Sequence, residues 1–340
     1  MATKDFYTLK EAEKSEIFTA TAQQKGLPNY AVEKDWWVVQ TLDIIFQLEM
    51  APHLLFKGGT SLSKAWNLIH RFSEDIDLAL NREYLGFDSR PISKSQVKKL
   101  REKSFKFVTT EFYELLQKGF HIKGYSDVTF GFEDLGDDDQ DPVSILIYYP
   151  AVTQHSEYVL PRVKVELGSR SLKDPFTHCE IVSFVGEQFP KRPFADTPIT
   201  IPCVNPERTF LEKMFLLHEE FQRPIDKIRV ERLSRHLYDL TKIYQSNHFS
   251  KAYDQELIVS IIRHRERFNN MRGVDYKSLY PPNLNPIPPD QFLDAWEADY
   301  ITMQTNMIPE ESPNFSDLLS IVKEATEKYN ALTFEKSKSK

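Results

Sequence analysis

The residues whose types and spacing point most directly to chemistry are Asp75 and Asp77, in the run Asp75-Ile76-Asp77-Leu78. On a strand, alternate side chains share a face, so both carboxylates point one way and Ile76 and Leu78 the other. Two carboxylates side by side repel, and the pair is costly unless a cation sits between them. A hard divalent ion such as Mg²⁺ suits oxygen donors of this kind. Upstream, Gly58-Gly59 lets the backbone turn sharply and come close to a ligand. Thr60 is placed to cap a helix on which Leu62, Ala65, Trp66 and Ile69 form one apolar face. The stretch Phe56–Leu80 thus reads as strand, glycine turn, helix, short loop, strand, and its backbone N–H groups suit a phosphate.

A third carboxylate comes later. Arg162–Leu167 (RVKVEL) alternates cleanly, with Lys164 and Glu166 on one face and Val163, Val165 and Leu167 on the other. Glu166 either joins the aspartates at a metal or forms a salt bridge with Lys164. Paired carboxylates can hold two Mg²⁺ ions, which neutralise a triphosphate and polarise an attacking hydroxyl. These are the parts needed for nucleotidyl transfer. A P-loop does not fit: GGTSLSK lacks the GxxxxGK[ST] spacing. Lys64, on the polar side of the first helix, either touches phosphate or faces water. Arg71 reads as a strut tying a loop down, for example to Asp77.

The elements that must position these groups follow from composition and period. A chain of 340 residues buries a sizeable core and suits two domains. Its net charge of −7 argues against a surface built for nonspecific nucleic-acid binding, though not against a local basic patch. No apolar run is long enough for a transmembrane helix, and the N-terminus lacks a hydrophobic signal core, so a cytoplasmic location is expected. Cys179 and Cys203 give neither a disulfide framework nor zinc spacing.

Helices are expected over Thr8–Lys25, from Leu27-Pro28-Asn29 to Gln47, and over Ser93–Lys118. Trp36 and Trp37 are either a binding surface or core. Lys94, Lys98, Lys99, Arg101 and Lys103 read as a solvated face. Strands are expected over His121–Phe132, Val143–Tyr149, Tyr158–Leu167 and His178–Phe184, with the acidic GDDDQDP segment as a hairpin loop. Phe189–Pro206 has no period and reads as a connection between domains. Beyond it the pattern is helical: Asn205-Pro206-Glu207 starts a helix to about His218. Val230, Leu233, Leu237 and Leu240 mark the buried face of the next, opposite Arg232, Arg235, His236 and Asp239. Further helices are expected over Gln255–Phe268, Gln291–Met303 and Phe315–Tyr329, with Asn270–Pro289 as a loop. His121, His155, His178 and His248 show no metal spacing and are assigned no role.

KGGTSLSKAWNLIHRFSEDIDL resembles the first motif of the AbiEii/AbiGii toxin family of nucleotidyltransferases, within the DNA polymerase β-like superfamily. The glycine pair, the D-x-D of Asp75 and Asp77, and the RFSEDIDL form with Arg71 and Ser73 carry the likeness. It implies an α+β fold, a mixed sheet flanked by helices followed by a helical domain; the proline-rich connection sets these at residues 1–190 and 205–330, and the composition of the end of the chain gives a disordered tail over 331–340. It further implies that Asp75, Asp77 and Glu166 ligate metal, and that Gly58, Gly59, Thr60 and Ser61, with Lys64 and Ser73, line the nucleotide. NPERTFLEKMFLLH resembles the family's second-domain helix, with Lys213 reaching the phosphates. RHLYDL resembles the later segment with an active-site aspartate, Asp239. The third carboxylate is Glu rather than Asp, and its longer reach bears on the second ion. The implied activity is Mg²⁺-dependent transfer of a nucleoside monophosphate from an NTP to the 3′ end of tRNA or another RNA, by the toxin of a toxin–antitoxin or abortive-infection pair with a cognate antitoxin protein. A protein or small-molecule hydroxyl is the alternative acceptor, and an inactive nucleotide- or partner-binding member is the non-enzymatic alternative. Arg223, Lys227, Arg229, Arg232 and Arg235 form a basic patch able to take an RNA backbone.

Overall fold

The structure is a computed structural model and describes residues 6–88, 92–154, 159–169, 174–269, 271–308 and 311–334. His155, the expected strand start at Tyr158, the expected loop start at Asn270 and the tail beyond Phe334 lie outside the described residues. The chain packs as two compact units, one of Met1–Asn67 with Phe72–Val204 and one of Leu68–Arg71 with Asn205–Lys340.

In the first unit, strands β1 (Leu54–Lys57), β2 (Asp75–Leu80), β3 (Thr129–Phe132), β4 (Val143–Tyr148), β5 (Arg162–Gly168), β6 (Phe176–Ile181) and β7 (Ile199–Val204) form one sheet in the order β3-β4-β5-β2-β1-β7-β6. The β2–β5 and β1–β7 pairs are parallel, and the others are antiparallel. Its helices are α1 (Glu11–Lys25), α2 (Asn29–Ile45), α3 (Gly58–Lys64), α4 (Lys94–Phe107), α5 (Tyr113–Ile122) and α6 (Phe184–Gln188). Alternation in the strands sends Phe56, Ile76, Leu78, Val163 and Val165 into the core, all essentially inaccessible. The opposite face carries the charged residues of β2 and β5, half-exposed.

Helix α2 is buried nearly all round, which is why its sequence shows no clean polar face. Trp36 and Trp37 are both core, edge to face at 4.9 Å. The same helix buries three consecutive charges, and each has a partner. Glu33 accepts from the backbone N–H of Val152 at 2.8 Å and of Thr153 at 3.0 Å. Lys34 pairs with Glu74 and donates to Leu160 O at 3.0 Å. Asp35 pairs with Lys64 at 2.9 Å and accepts from Phe184 N at 2.7 Å.

The second unit holds helices α7 (Pro206–Phe221), α8 (Arg235–Tyr244), α9 (Gln255–Phe268), α10 (Leu293–Met307) and α11 (Phe315–Asn330). Helix α7 is its central element, packed on α8 and α9. Among the described residues no helix is long and apolar enough to cross a membrane.

Several boundaries differ from the sequence expectation, each for a local reason. Helix α3 ends at Lys64; Ala65 and Trp66 both bond to Ser61 O, and Asn67 turns left-handed at φ 49°, so Ile69 never joins its face. Thr60 is not its cap: it lies inside the helix and donates to Asp75 O. His121–Val128 is not strand, because α5 runs on to Ile122 and Gly124 then turns at φ 82°. The strand expected to reach Phe184 stops at Ile181, since Ser183 caps α6 by accepting from Gly186 N at 3.0 Å. The proline-rich stretch read as a connection contains β7, which pairs with both β1 and β6. Helix α8 starts at Arg235 rather than Val230, because Asp299 holds Arg232 N at 2.7 Å and Ser234 N at 3.0 Å in a turn.

Phe56 is the inaccessible side chain of β1, between β2 and β7. Phe56→Ala is expected to cost about 3–5 kcal/mol by loss of burial and cavity formation, measured by urea unfolding of the full chain.

Candidate active site

Strand register places the carboxylates. Asp77 on β2 stands opposite Lys57 on β1 and opposite Glu166 on β5, while Asp75 stands opposite Lys164. Residues paired in this way share a sheet face. Asp75, Asp77 and Glu166 therefore lie together on the half-exposed face, as the alternation in RVKVEL requires. The Asp77 carboxylate rests against the bare α-carbon of Gly58: a Cβ built there would lie 1.9 Å from Asp77 Oδ2. Gly58 also has φ +80°, which side chains rarely adopt. The glycine turn and the aspartate are thus fitted to each other.

Asp75 sits among like charges. Burial pushes its carboxyl up from the ordinary range, and Glu74 and Asp77 push it further; Lys164 and Lys34 pull the other way. Excess negative charge of this kind is relieved by a cation. Among the described residues no three His, Cys, Asp or Glu side chains are gathered as a ready metal cage. The donor set nonetheless fits a hard divalent ion: three carboxylates on one face, two of them at the same register position. Lys164 is paired with Glu133, which also pairs with Arg162 at 3.3 Å, while Glu166 acts on Lys164 through its charge, after Glu133 and Asp75.

The hydroxyls expected to line a triphosphate turn inward. Thr60 donates to Asp75 O, and Ser73 Oγ lies 3.0 Å from the Thr60 hydroxyl. Ser61 donates to Gly58 O at 3.0 Å. Both Thr60 and Ser61 are buried, and their side chains tie α3 to β2 and close the turn on itself. Lys64 does not face water. It is buried, paired with Asp35, and lies over the Phe184 ring at 4.0 Å from its centre. Lys57, whose place opposite Asp77 depends on register, has no signal of its own in the sequence.

Lys213 and Asp239 belong to the second unit, with Arg71. Asp239 is inaccessible and bound bidentately by Arg71, Nε to Oδ1 at 2.8 Å and a terminal nitrogen to Oδ2 at 2.8 Å. It also pairs with Lys213 Nζ at 3.0 Å. Arg71 is a strut, as expected, and it is anchored on Asp239. Burial opposes ionisation of Asp239, yet Arg71 and Lys213 hold its carboxyl well below the usual range. Lys213 is shifted down by burial, against the pull of Asp239. Burial, with Lys213 and Arg235 nearby, lowers His236 well below an ordinary imidazole. Neutral His236 accepts from Lys213 Nζ through Nδ1 at 3.1 Å. In the basic patch, Glu220 holds Arg223 at 3.0 Å and Arg229 at 2.6 Å.

Two outcomes follow. Lys64→Ala strands Asp35 as a buried charge and is expected to cost about 3–5 kcal/mol in urea unfolding, with NTP affinity of the folded variant unchanged. Loss of NTP affinity at unchanged stability would restore the phosphate reading. For His236 the folded imidazole binds its proton only well below the unfolded value near pH 6.5. The unfolded state then binds more protons, so its contribution is complete above about pH 6.5 and declines as pH falls towards the folded value. Urea midpoints at pH 7.5 and 5.5 should show this slope, and His236→Gln should reduce it.

A family model described as nucleotidyl transferase AbiEii toxin, type IV TA system, matches residues 41–321. No curated protein matches the chain. The family's enzymes are nucleotidyl transferases, and a mixed sheet bearing a carboxylate face agrees with that activity. Since the matched span runs from within α2 into α11, over most of the sequence, the chain belongs to the AbiEii family of nucleotidyltransferase toxins of type IV toxin–antitoxin systems.

Proposed function

We propose that this nucleotidyltransferase moves a nucleoside monophosphate from an NTP to the 3′ end of an RNA, tRNA being the acceptor class the family resemblance suggests, with Mg²⁺ held by Asp75, Asp77 and Glu166. The observation that carries the reading is the register that sets Asp77 beside Glu166, with Asp75 on the same face and Gly58 against the Asp77 carboxylate. The acceptor hydroxyl gives up its proton to solvent as its oxygen bonds to the α-phosphorus, the bond from that phosphorus to the bridging oxygen breaks, and pyrophosphate leaves. When bound, the metal supplies charge neutralisation of the phosphates and a lowered pKa at the attacking hydroxyl. The chain's own part is positioning. Gly58 leaves room for Asp77, and the Thr60 and Ser61 hydroxyls hold the turn so that its backbone faces the phosphates. Asp239 and His236 hold Lys213, and Asp239 favours its charged form, which the phosphate role requires. Lys227 and Arg229, exposed on the connection between Arg223 and Arg235, support an RNA acceptor, because positive charges at the surface suit a phosphate backbone. A cognate antitoxin acts against this activity in the cell.

A second reading places the monophosphate on a protein hydroxyl, and the net charge of −7 favours it. One assay separates the two. The chain is incubated with each labelled NTP, Mg²⁺ and total RNA, with added protein, and the label is followed to RNA or to protein bands. Asp77→Asn is expected to reduce transfer by about 10²-fold or more, because it removes a carboxylate that would hold the metal against the reacting phosphate. Undiminished transfer by this variant would overturn the assignment of the site.

A further inference from the structure

The carboxylate face continues along the strands into a cavity of about 540 Å³ in the first unit. Leu55 pairs with Ala79 one step along from the Lys57–Asp77 pair, and Ala79 pairs with Gly168 one step along from Asp77–Glu166. Alternate residues of a strand are about 7 Å apart, so this row lies next to the carboxylates on the same side. The side chain at Ala79, which lines the cavity, is small, and this makes a low floor. Towards the sheet edge the face is completed by Pro202 on β7 and by His178 opposite it on β6. Phe176 lies beside His178, with ring centroids 5.5 Å apart and planes at 75°. Phe176 is 46 % exposed, unusual for a phenylalanine on a strand. Leu55, Ala79, Pro202, Phe176, His178 and Thr200 all line the cavity.

We infer that this cavity receives unpaired bases of the RNA acceptor strand, which stack on Phe176 and His178 while the terminal hydroxyl reaches the carboxylates. This deepens the nucleotidyl-transfer reading and rests on it. Three features favour this occupant. The cavity shares the face and strands of the carboxylates, so a strand running along it delivers its end to them. Exposed aromatic rings on an open sheet face are platforms for unstacked bases, which is how single-stranded RNA is commonly bound. The volume lies within the range of pockets that enclose small ligands, and a planar base is of that size. The lining itself is largely uncharged, so the contact selects flat rings over phosphates. The strand's own charge is left to basic groups elsewhere.

The test is equilibrium binding of a short labelled single-stranded RNA to the full chain without NTP, beside a blunt duplex of the same sequence. ATP and GTP affinities are measured in parallel. Phe176→Ala with His178→Ala is expected to weaken single-strand binding about tenfold or more and to raise KM for the RNA acceptor. Nucleotide affinity and the urea midpoint should stay at the starting values, and Phe176→Trp should keep RNA binding. Unchanged RNA affinity in the double alanine variant would overturn the inference. So would an equal loss of nucleotide affinity, or preference of the starting protein for a peptide or for a second copy of itself over single-stranded RNA. Because binding is read without chemistry, the inference can fail while Asp77→Asn still abolishes transfer, and the two failures remain distinct.

Discussion

The contact between the Asp77 carboxylate and the bare α-carbon of Gly58 is the constraint on which the site depends. Strand β2 can bring its aspartate against the turn that follows β1 only because position 58 has no side chain and tolerates a left-handed backbone. Once that fit is made, the antiparallel β1–β2 pairing fixes which residue opposes Asp77, and the parallel β2–β5 pairing fixes Glu166 beside it. A slip of one residue in either pairing would turn a carboxylate into the core and an isoleucine or valine outward. The site's geometry and the sheet's stability are therefore one requirement.

Buried charge does most of the remaining positioning. In the first unit Glu33, Lys34 and Asp35 on α2 reach three different segments: the chain before β5, the entry to β2, and α3 with α6. In the second unit Asp239 gathers Arg71 and Lys213, and Glu219 holds Arg265 with contacts at 2.5 and 2.8 Å. Such pairs add little net stability over apolar packing, but breaking one leaves a desolvated charge behind. They act as registration pins for the backbone segments that carry the carboxylates and the basic groups.

Much of this was legible in the sequence, and the rest was hidden for physical reasons. The D-x-D strand, the alternation in RVKVEL and the starts of α7 and α9 are local patterns, and local patterns survive folding. Family membership was legible for the same reason, because its motif lies within one short stretch. What sequence could not supply was partnership. Lys64 looks like a solvent-facing helix lysine until Asp35, from another helix, closes over it. Asp239 looks like one member of a polar helix face until Arg71 arrives from a segment far away in the sequence. β7 went unread because prolines and a missing alternation masked a strand whose pairing comes from β1 and β6. Lys57 gains meaning only when register places it opposite Asp77.

The four residues Leu68–Arg71 carry a last consequence. They leave the first unit after α3, contribute Ile69, 2 % exposed, and the Arg71 strut to the second, and return to begin β2. An amino-terminal fragment cut at Val204 would keep Ile69 and Arg71 but lose Asp239, and the remaining carboxy-terminal fragment would keep Asp239 without its guanidinium. The chain passes from one unit to the other and back just four positions before Asp75. Neither can be excised, shuffled or inherited as an independent cassette without unpicking the other.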